Sequence, residues 1–230
     1  MDKSYAYPGD ELSLFAAAVR WKTYLKQEIH PWLQGDVLEV GAGIGSTTKM
    51  LHDDRMVTWT ALEPDEKLFE QLCRRDDLSH IIPLRGTIND VPDHAFDSIL
   101  YIDVLEHIER DRDELKQSAS KLKKGGNIIV LSPAWNHLYS PFDKVIGHYR
   151  RYTKSSLKAL KPEGLQLKRI KYLDSAGYFA SLANKWFLHQ PYPSKKQVLF
   201  WDRTLVPLSR IVDPLFFHSF GKSILAVWEK

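Results

Sequence analysis

The sequence predicts an α/β protein, a mostly parallel sheet with helices on both faces. Three observations carry that prediction. Short β-branched or apolar runs alternate with helical patterns from residue 36 to residue 131. The first run ends in glycines at alternate positions, Gly41, Gly43 and Gly45. An acidic residue, Glu63, closes the second run, about 20 residues after the loop.

Taken in order, Pro8-Gly9-Asp10 reads as a turn and an N-cap, the Asp10 carboxylate facing free N–H groups. From Glu11 to Glu28 the apolar residues fall at helical spacing. Leu14, Ala18, Trp21 and Leu25 make one stripe, widened by Phe15 and Val19, and Pro31 ends it. Strands are expected over Asp36–Val40, Val57–Leu62, His80–Leu84, Phe96–Ile102 and Gly126–Leu131. Helices are expected over Ser46–His52, Asp65–Arg74 and Arg110–Leu122. Such alternation is the pattern of parallel strands joined by crossover helices. Two further strands, Leu165–Leu173 and Ser223–Trp228, bring the count to seven, and Thr153 is placed to cap a helix over Lys154–Leu160. Between those strands lie aromatics in excess of what a core needs, among them Tyr178, Phe179, Trp186, Phe187, Tyr192, Phe200, Trp201, Phe216, Phe217 and Phe220. They read as a helical cap over the carboxyl edge of the sheet.

Composition bounds the function. The chain has 230 residues, 43% of them apolar, enough for one α/β domain with a sizeable core. A formal charge of +3 is too small to point to nucleic acid. Cys73 is the single cysteine, so there is no internal disulfide and no cysteine cluster for a metal. No metal is expected, and a reducing, cytoplasmic compartment is. No signal-peptide pattern or membrane-spanning apolar run is seen. The expected division is an N-terminal helical lid over 1–35, a cofactor-binding core over 36–173, a helical cap over 174–221 and a final strand over 222–230.

The strongest motif is Val37-Leu38-Glu39-Val40-Gly41-Ala42-Gly43-Ile44-Gly45. Glycine tolerates positive φ and lets a ligand approach the backbone, and the helix that follows offers free N–H groups. The Leu62-Glu63-Pro64 strand end puts a carboxylate where nucleotide-binding folds hold a ribose diol. A dinucleotide fingerprint would need a glycine at position 46, which is Ser46. Glu39 also stands where a pyrophosphate would meet like charge. A ligand with an ammonium and a sulfonium suits such acids.

On these residues the chain resembles the class I S-adenosylmethionine-dependent methyltransferases, by motif over about residues 36–135. The resemblance implies a Rossmann-like seven-stranded sheet whose last strand is antiparallel and inserted between the fifth and sixth. It implies S-adenosyl-L-methionine as cofactor. Glu39, Gly41, Ala42, Gly43 and Gly45 would lie under its amino-acid part, and Glu63, followed by Pro64, would hold the ribose. Gly86, Thr87 and Ile88 would flank the adenine. The family's acid near the adenine amine has no match at Thr87, and Asn89 or Asp90 stand as substitutes. Asp103, after the fourth strand, would sit beside the methionine end. Asp97 reads as structural, His107 as a hydrogen-bonding turn residue or a ligand-facing one, and the run Glu109 to Glu114 as a solvated helix face.

After the fifth strand, Ser132 to Thr153 is too polar for core and too aromatic for an idle loop. Its Asp143-x-x-x-Gly147-His148-x-Arg150-Arg151-Tyr152 pattern resembles a small-molecule subgroup of the same family. His148 is the first candidate for a general base, oriented by Asp143, with Tyr139 or His137 as substitutes. A buried hydrogen-bonding hub is the competing role for His148. Arg150 and Arg151 either bind an acidic acceptor or pair with Asp143 or Asp174. The expected activity is methyl transfer by in-line displacement to a small-molecule acceptor, hydrophobic or acidic, at oxygen. N- or C-methylation, an NAD-dependent oxidoreductase and a non-catalytic nucleotide-binding protein stay open. Lys195, Lys196 and the cap aromatics read first as ordinary packing of the cap, with a peripheral membrane contact as the alternative, and the chain as a monomer or a homodimer.

Overall fold

The structure is a computed structural model that describes residue 7, residues 12–188 and residues 192–230. Inside the sheet lies β1 (Gly35–Val40), whose Val37, Leu38 and Val40 are buried, as suits a strand covered on both faces. Around it stand β2 (Met56–Glu63), β3 (Ile82–Arg85), β4 (Phe96–Ile102), β5 (Leu122–Pro133), β6 (Gln166–Leu173) and β7 (Ser223–Glu229). The order is β3-β2-β1-β4-β5-β7-β6. β1 to β5 are joined by parallel pairs, and β7 runs antiparallel between β5 and β6, as the resemblance implies.

The helices are α1 (Leu12–Ala16), α2 (Val19–Ile29), α3 (Ser46–Leu51), α4 (Glu66–Cys73), α5 (Asp111–Lys121), α6 (Pro141–Val145), α7 (Lys154–Ala159), α8 (Ser175–Ala183), α9 (Lys195–Phe200) and α10 (Val206–Leu215). The two-residue period of the strands divides the core into two layers. Val37, Trp59, Leu100, Ile129 and Val227 pack on the side that holds Trp21, Leu25 and Ile29 of α2. Leu38, Leu62, Ile99, Ile128 and Ala226 pack on the other, with Leu115 of α5 and Leu157 of α7. Each fully buried aliphatic side chain contributes about 1.5–3 kcal/mol.

The helix expected from Glu11 to Glu28 is in fact two. Ala18, at φ −80° and ψ 72°, separates α1 from α2. The N–H groups of Arg20 and Trp21 donate to the carboxylate of Asp202 at 3.2 and 2.8 Å. A helix start needs such acceptors, and here a residue of the cap supplies them. Val19 is 64% exposed and leaves the expected stripe. The turn and cap expected at Pro8-Gly9-Asp10 lie outside the described residues. β3 begins at Ile82, two residues later than expected, and β5 begins four residues earlier, at Leu122.

In the cap, a π-helical turn, Trp201–Leu205, joins α9 to α10. Asp213 of α10 ties the cap to the core. Its carboxylate accepts from the Tyr24 hydroxyl at 2.8 Å and from the N–H groups of Asp174 and Ser175 at 2.8 and 2.9 Å. Trp201 packs on Trp21 and Phe15, with ring centroids 5.7 and 6.3 Å apart. Phe179, Trp186, Phe200, Phe216 and Phe217 are exposed. Among the described residues, no helix is long and apolar enough to cross a membrane.

Strand order reverses between β1 and β4, so the chain leaves these neighbours toward opposite sides. A crevice opens at their carboxyl ends, the usual place for a ligand in an open α/β sheet.

Candidate active site

That crevice is a cavity of about 620 Å³. Its floor is the glycine loop. Gly41, Gly43 and Gly45 have φ of +68°, +56° and +72°, the left-handed region where a side chain is strained. A Cβ on Gly41 would lie 2.6 Å from Cγ2 of Val104, so glycine is what lets the loops after β1 and β4 pass each other. The N–H groups of Gly41 and Ala42 both donate to the carbonyl of Leu62, at 2.8 and 3.0 Å.

Glu63 fastens the loop from the side. Oε2 accepts from the Gly43 N–H at 2.7 Å and Oε1 from the Asp65 N–H at 2.9 Å. An ionised carboxylate has about four acceptor positions. Two are used by backbone, and two are left for a vicinal diol. Pro64 lines the cavity beside it, and burial raises the Glu63 carboxyl above the usual range. Glu39 is fully enclosed. Its Oε2 accepts from Thr48 Oγ1 at 2.5 Å and Trp59 Nε1 at 3.0 Å. Burial pushes this carboxyl up to about 7 against those two hydrogen bonds.

Gly86, Thr87 and Ile88 form another wall. Asp90 does not join them. Its Oδ2 accepts from Thr87 N and Oγ1 at 2.7 and 3.0 Å, closing a capping box, and neither Asn89 nor Asp90 lines the cavity. The substitute acid expected for the adenine amine is therefore not supplied by either residue.

At the far end Asp103, with φ +54°, lines the cavity and is exposed to it, and the surrounding protein raises its carboxyl to about 6 through desolvation. Next to it stand Glu106, His107 and His148. Glu106 is wholly buried, and neither of its carboxylate oxygens has a hydrogen-bond partner. His148 Nε2 lies 3.8 Å from its Oε1. The rings of His107 and His148 meet edge to face at 4.5 Å. Burial, then the His148 ring, pulls the His107 imidazole down to about 3.

His148 is held from behind. Asp143 Oδ1 lies 2.8 Å from its Nδ1, and since an ionised carboxylate only accepts, Nδ1 carries the hydrogen; in the neutral ring Nε2 then carries the lone pair. Arg151 grips the same carboxylate with two hydrogen bonds, Nε to Oδ1 at 2.8 Å and Nη2 to Oδ2 at 2.9 Å. Ser140 adds its N–H and hydroxyl at 2.9 and 2.8 Å. Burial opposes ionisation of Asp143, yet the His148 hydrogen bond and the Arg151 charge hold its carboxyl well below the usual range.

The remaining candidates lie elsewhere. The Tyr139 hydroxyl donates to the His148 carbonyl at 2.6 Å and does not line the cavity, so it shapes the loop and is not placed for proton transfer. His137 pairs with the Tyr178 hydroxyl at 3.2 Å, outside the cavity. Arg150 binds Asp111 at 2.7 Å and the Glu109 carbonyl at 2.8 Å. Both arginines thus pair within the chain. Asp111 is also bound by the Tyr152 hydroxyl at 2.9 Å, so the run from Glu109 to Glu114 is more than a solvated face. Asp97 accepts from the Asp36 N–H and from Lys123, both at 2.8 Å, remote from the cavity. Sequence reasoning missed Glu106 and Lys222 as cavity residues, together with the apolar wall of Phe15, Phe142 and Trp201. The Asp103-x-x-Glu106-His107 spacing was a signal for the first. Lys222, whose ammonium lies 4.9 Å over the Trp201 ring, left none.

Residues 38–130 match the family profile described as a methyltransferase domain. The match runs from β1 into β5. The chain is 25% identical over 193 residues to ajmaline N-methyltransferase of Rauvolfia serpentina, covering 81% of this chain and 61% of that protein. The chain thus spans about three fifths of that relative's length. Among solved structures, an S-adenosylmethionine-dependent methyltransferase of Mesorhizobium loti aligns with a TM-score of 0.63 at 13% identity, covering 94% of this chain and all of that one. A possible histamine N-methyltransferase of Thermotoga maritima aligns at 0.61 and 16% identity, over 95% and 93% of the two chains. The cyclase SpnF aligns at 0.62 and 17%, over 100% and 87%. The fold is that of S-adenosylmethionine-dependent methyltransferases, and SpnF is a reminder that the fold alone does not name a reaction.

The cofactor implied is S-adenosylmethionine, and the donor set fits it. Glu39, Glu63 and Asp103 put three carboxylates around the cavity, which suits a cationic nucleoside better than a pyrophosphate. Glu63 would hold the ribose and Gly41 to Ile44 the amino-acid part; Gly45, expected there too, does not line the cavity and instead lets the loop pack on Leu78, which a Cβ would approach to 2.5 Å.

Proposed function

We propose that this chain transfers a methyl group from S-adenosylmethionine to an oxygen of a hydrophobic small molecule. The observation that carries the reading is the pair of acceptor positions left on buried Glu63, in a cavity whose opposite end gathers Asp103 and His148. The cofactor supplies a methyl group already activated on a sulfonium, so the chain's task is alignment and the exclusion of water. Phe15, Phe142, Ile146 and Trp201 line the acceptor side with apolar surface. His148 is where the acceptor is activated, because Asp143 holds its Nδ1 hydrogen and leaves the Nε2 lone pair for the cavity. The acceptor hydroxyl gives its proton to His148 Nε2 while its oxygen lone pair takes the methyl carbon; the carbon–sulfur bond breaks and its electron pair stays on sulfur.

Nitrogen is the second reading, favoured by the N-methyltransferase relative. An unprotonated amine needs no base, so the two readings part at His148. The test is acceptor-dependent formation of S-adenosylhomocysteine across a panel of phenols, alcohols and amines, read by mass spectrometry. Turnover of phenols that collapses in His148→Ala supports oxygen. Turnover of amines alone, unaffected by that change, supports nitrogen. A panel that yields no product with a chain that does not bind S-adenosylhomocysteine rejects the proposal.

A further inference from the structure

We propose that Glu106, His107 and His148 form a binding site for a divalent transition-metal ion, of the zinc or cobalt kind, in the wall of this cavity. Each offers one ligand atom, and those three atoms lie within 4.8 Å of one another. All three line the cavity, so an ion has a path in and the site keeps open positions toward the acceptor. Around an ion at about 2.0–2.2 Å from each ligand, donors stand about 3–3.5 Å apart, so loading draws the three together by roughly 1 Å. The pair of Glu106 and His148, at 3.8 Å, is already close to that spacing.

Three features beyond proximity favour an ion. First, Glu106 is fully buried with both carboxylate oxygens unpartnered, although the Ser132 hydroxyl lies beside it. A buried carboxyl with neither oxygen partnered is costly, and a cation would supply the missing partner. Second, His148 has the support typical of a metal-bound imidazole. A carboxylate holds its Nδ1 hydrogen at 2.8 Å, fixing the tautomer and aiming the Nε2 lone pair at the site. Third, Arg151, which also lines the cavity, spends its guanidinium on Asp143 in two hydrogen bonds and gives none to Glu106. Two imidazoles and one carboxylate suit a first-row transition ion better than magnesium.

The inference rests on the methyl-transfer reading for its use, not for its signs. Within that reading the Nε2 lone pair of His148 serves as a ligand in place of accepting the proton. The ion draws charge from an acceptor hydroxyl, whose proton passes to water as the oxygen–carbon bond forms.

The test is titration of the chelator-stripped full chain with Zn²⁺, and separately with Co²⁺, by calorimetry and by the visible absorption of Co²⁺. Equimolar binding is expected, weakened at least tenfold in Glu106→Gln and in His107→Ala. S-adenosylhomocysteine titrated into the same samples checks that each variant is folded. Absence of Zn²⁺ binding by the wild-type chain overturns the proposal. So does binding that both variants retain, which would place the ion elsewhere, as at His52 and His80 with ring centroids 3.9 Å apart. Failure to bind S-adenosylhomocysteine counts against the methyl-transfer reading alone. Metal-free wild type with full phenol turnover removes the ion's use in catalysis.

Discussion

Replacing Glu63 by glutamine separates ligand holding from loop stapling, because one residue does both. In the wild type, Oε2 and Oε1 accept from Gly43 N–H and Asp65 N–H at 2.7 and 2.9 Å. A glutamine has one acceptor oxygen, and its amide must face one of those two donors with N–H against N–H. A buried donor without a partner costs about 1–3 kcal/mol, and that loss is expected in unfolding free energy. The ribose diol would lose a charged acceptor as well, worth about 1.5–3 kcal/mol. At 1.4 kcal/mol per decade, that is roughly a 10- to 150-fold weaker affinity. The assay is calorimetric titration of both proteins with S-adenosylhomocysteine, paired with denaturant unfolding. A variant that loses stability yet binds within threefold of wild type would make Glu63 a loop staple only and refute the reasoning.

Three other perturbations test other parts of the site. Burial pushes the Glu39 carboxyl up to about 7, against the hydrogen bonds from Thr48 and Trp59. The ligand's ammonium favours the ionised form, so S-adenosylhomocysteine affinity should fall as pH drops below 7, by up to tenfold per unit. Glu39→Gln should flatten that slope, and an unchanged slope would assign it to another group. Gly41→Ala forces a side chain at φ +68° into Val104 and should abolish cofactor binding. Retained affinity in that variant would mean the two loops are not packed as described. Arg151→Ala leaves the Asp143 carboxylate buried without its main cation, at a cost of about 3–5 kcal/mol, which should lower Tm by on the order of 10 °C. A shift below about 2 °C would show that the loop is held by other contacts.

Much of this was legible in the sequence because it is local. The strands, the alternating glycines and the carboxylate at the end of β2 follow from spacing along one stretch of chain, and all were found. What was hidden depends on distant segments meeting. The break between α1 and α2 is stabilised by Asp202, which the sequence gives no reason to place there. Asp143 reads as a partner of His148 and as one of two possible partners for the arginines, but which arginine it takes, and that it takes Arg151 with two hydrogen bonds, needed the folded loop. Tyr139 has the chemistry of a base, but its hydroxyl is spent on a backbone carbonyl. Glu106 acquires meaning only when the segment after β5 carries His148 to within 3.8 Å of it.

The most direct measurement is a crystal structure with S-adenosylhomocysteine bound. The account predicts both ribose hydroxyls on the Glu63 carboxylate, the amino-acid end over Gly41 to Ile44, and sulfur facing the space between Asp103 and His148. A nucleoside that leaves Glu63 uncontacted, or a sulfur turned toward Gly86 and Thr87, would contradict it.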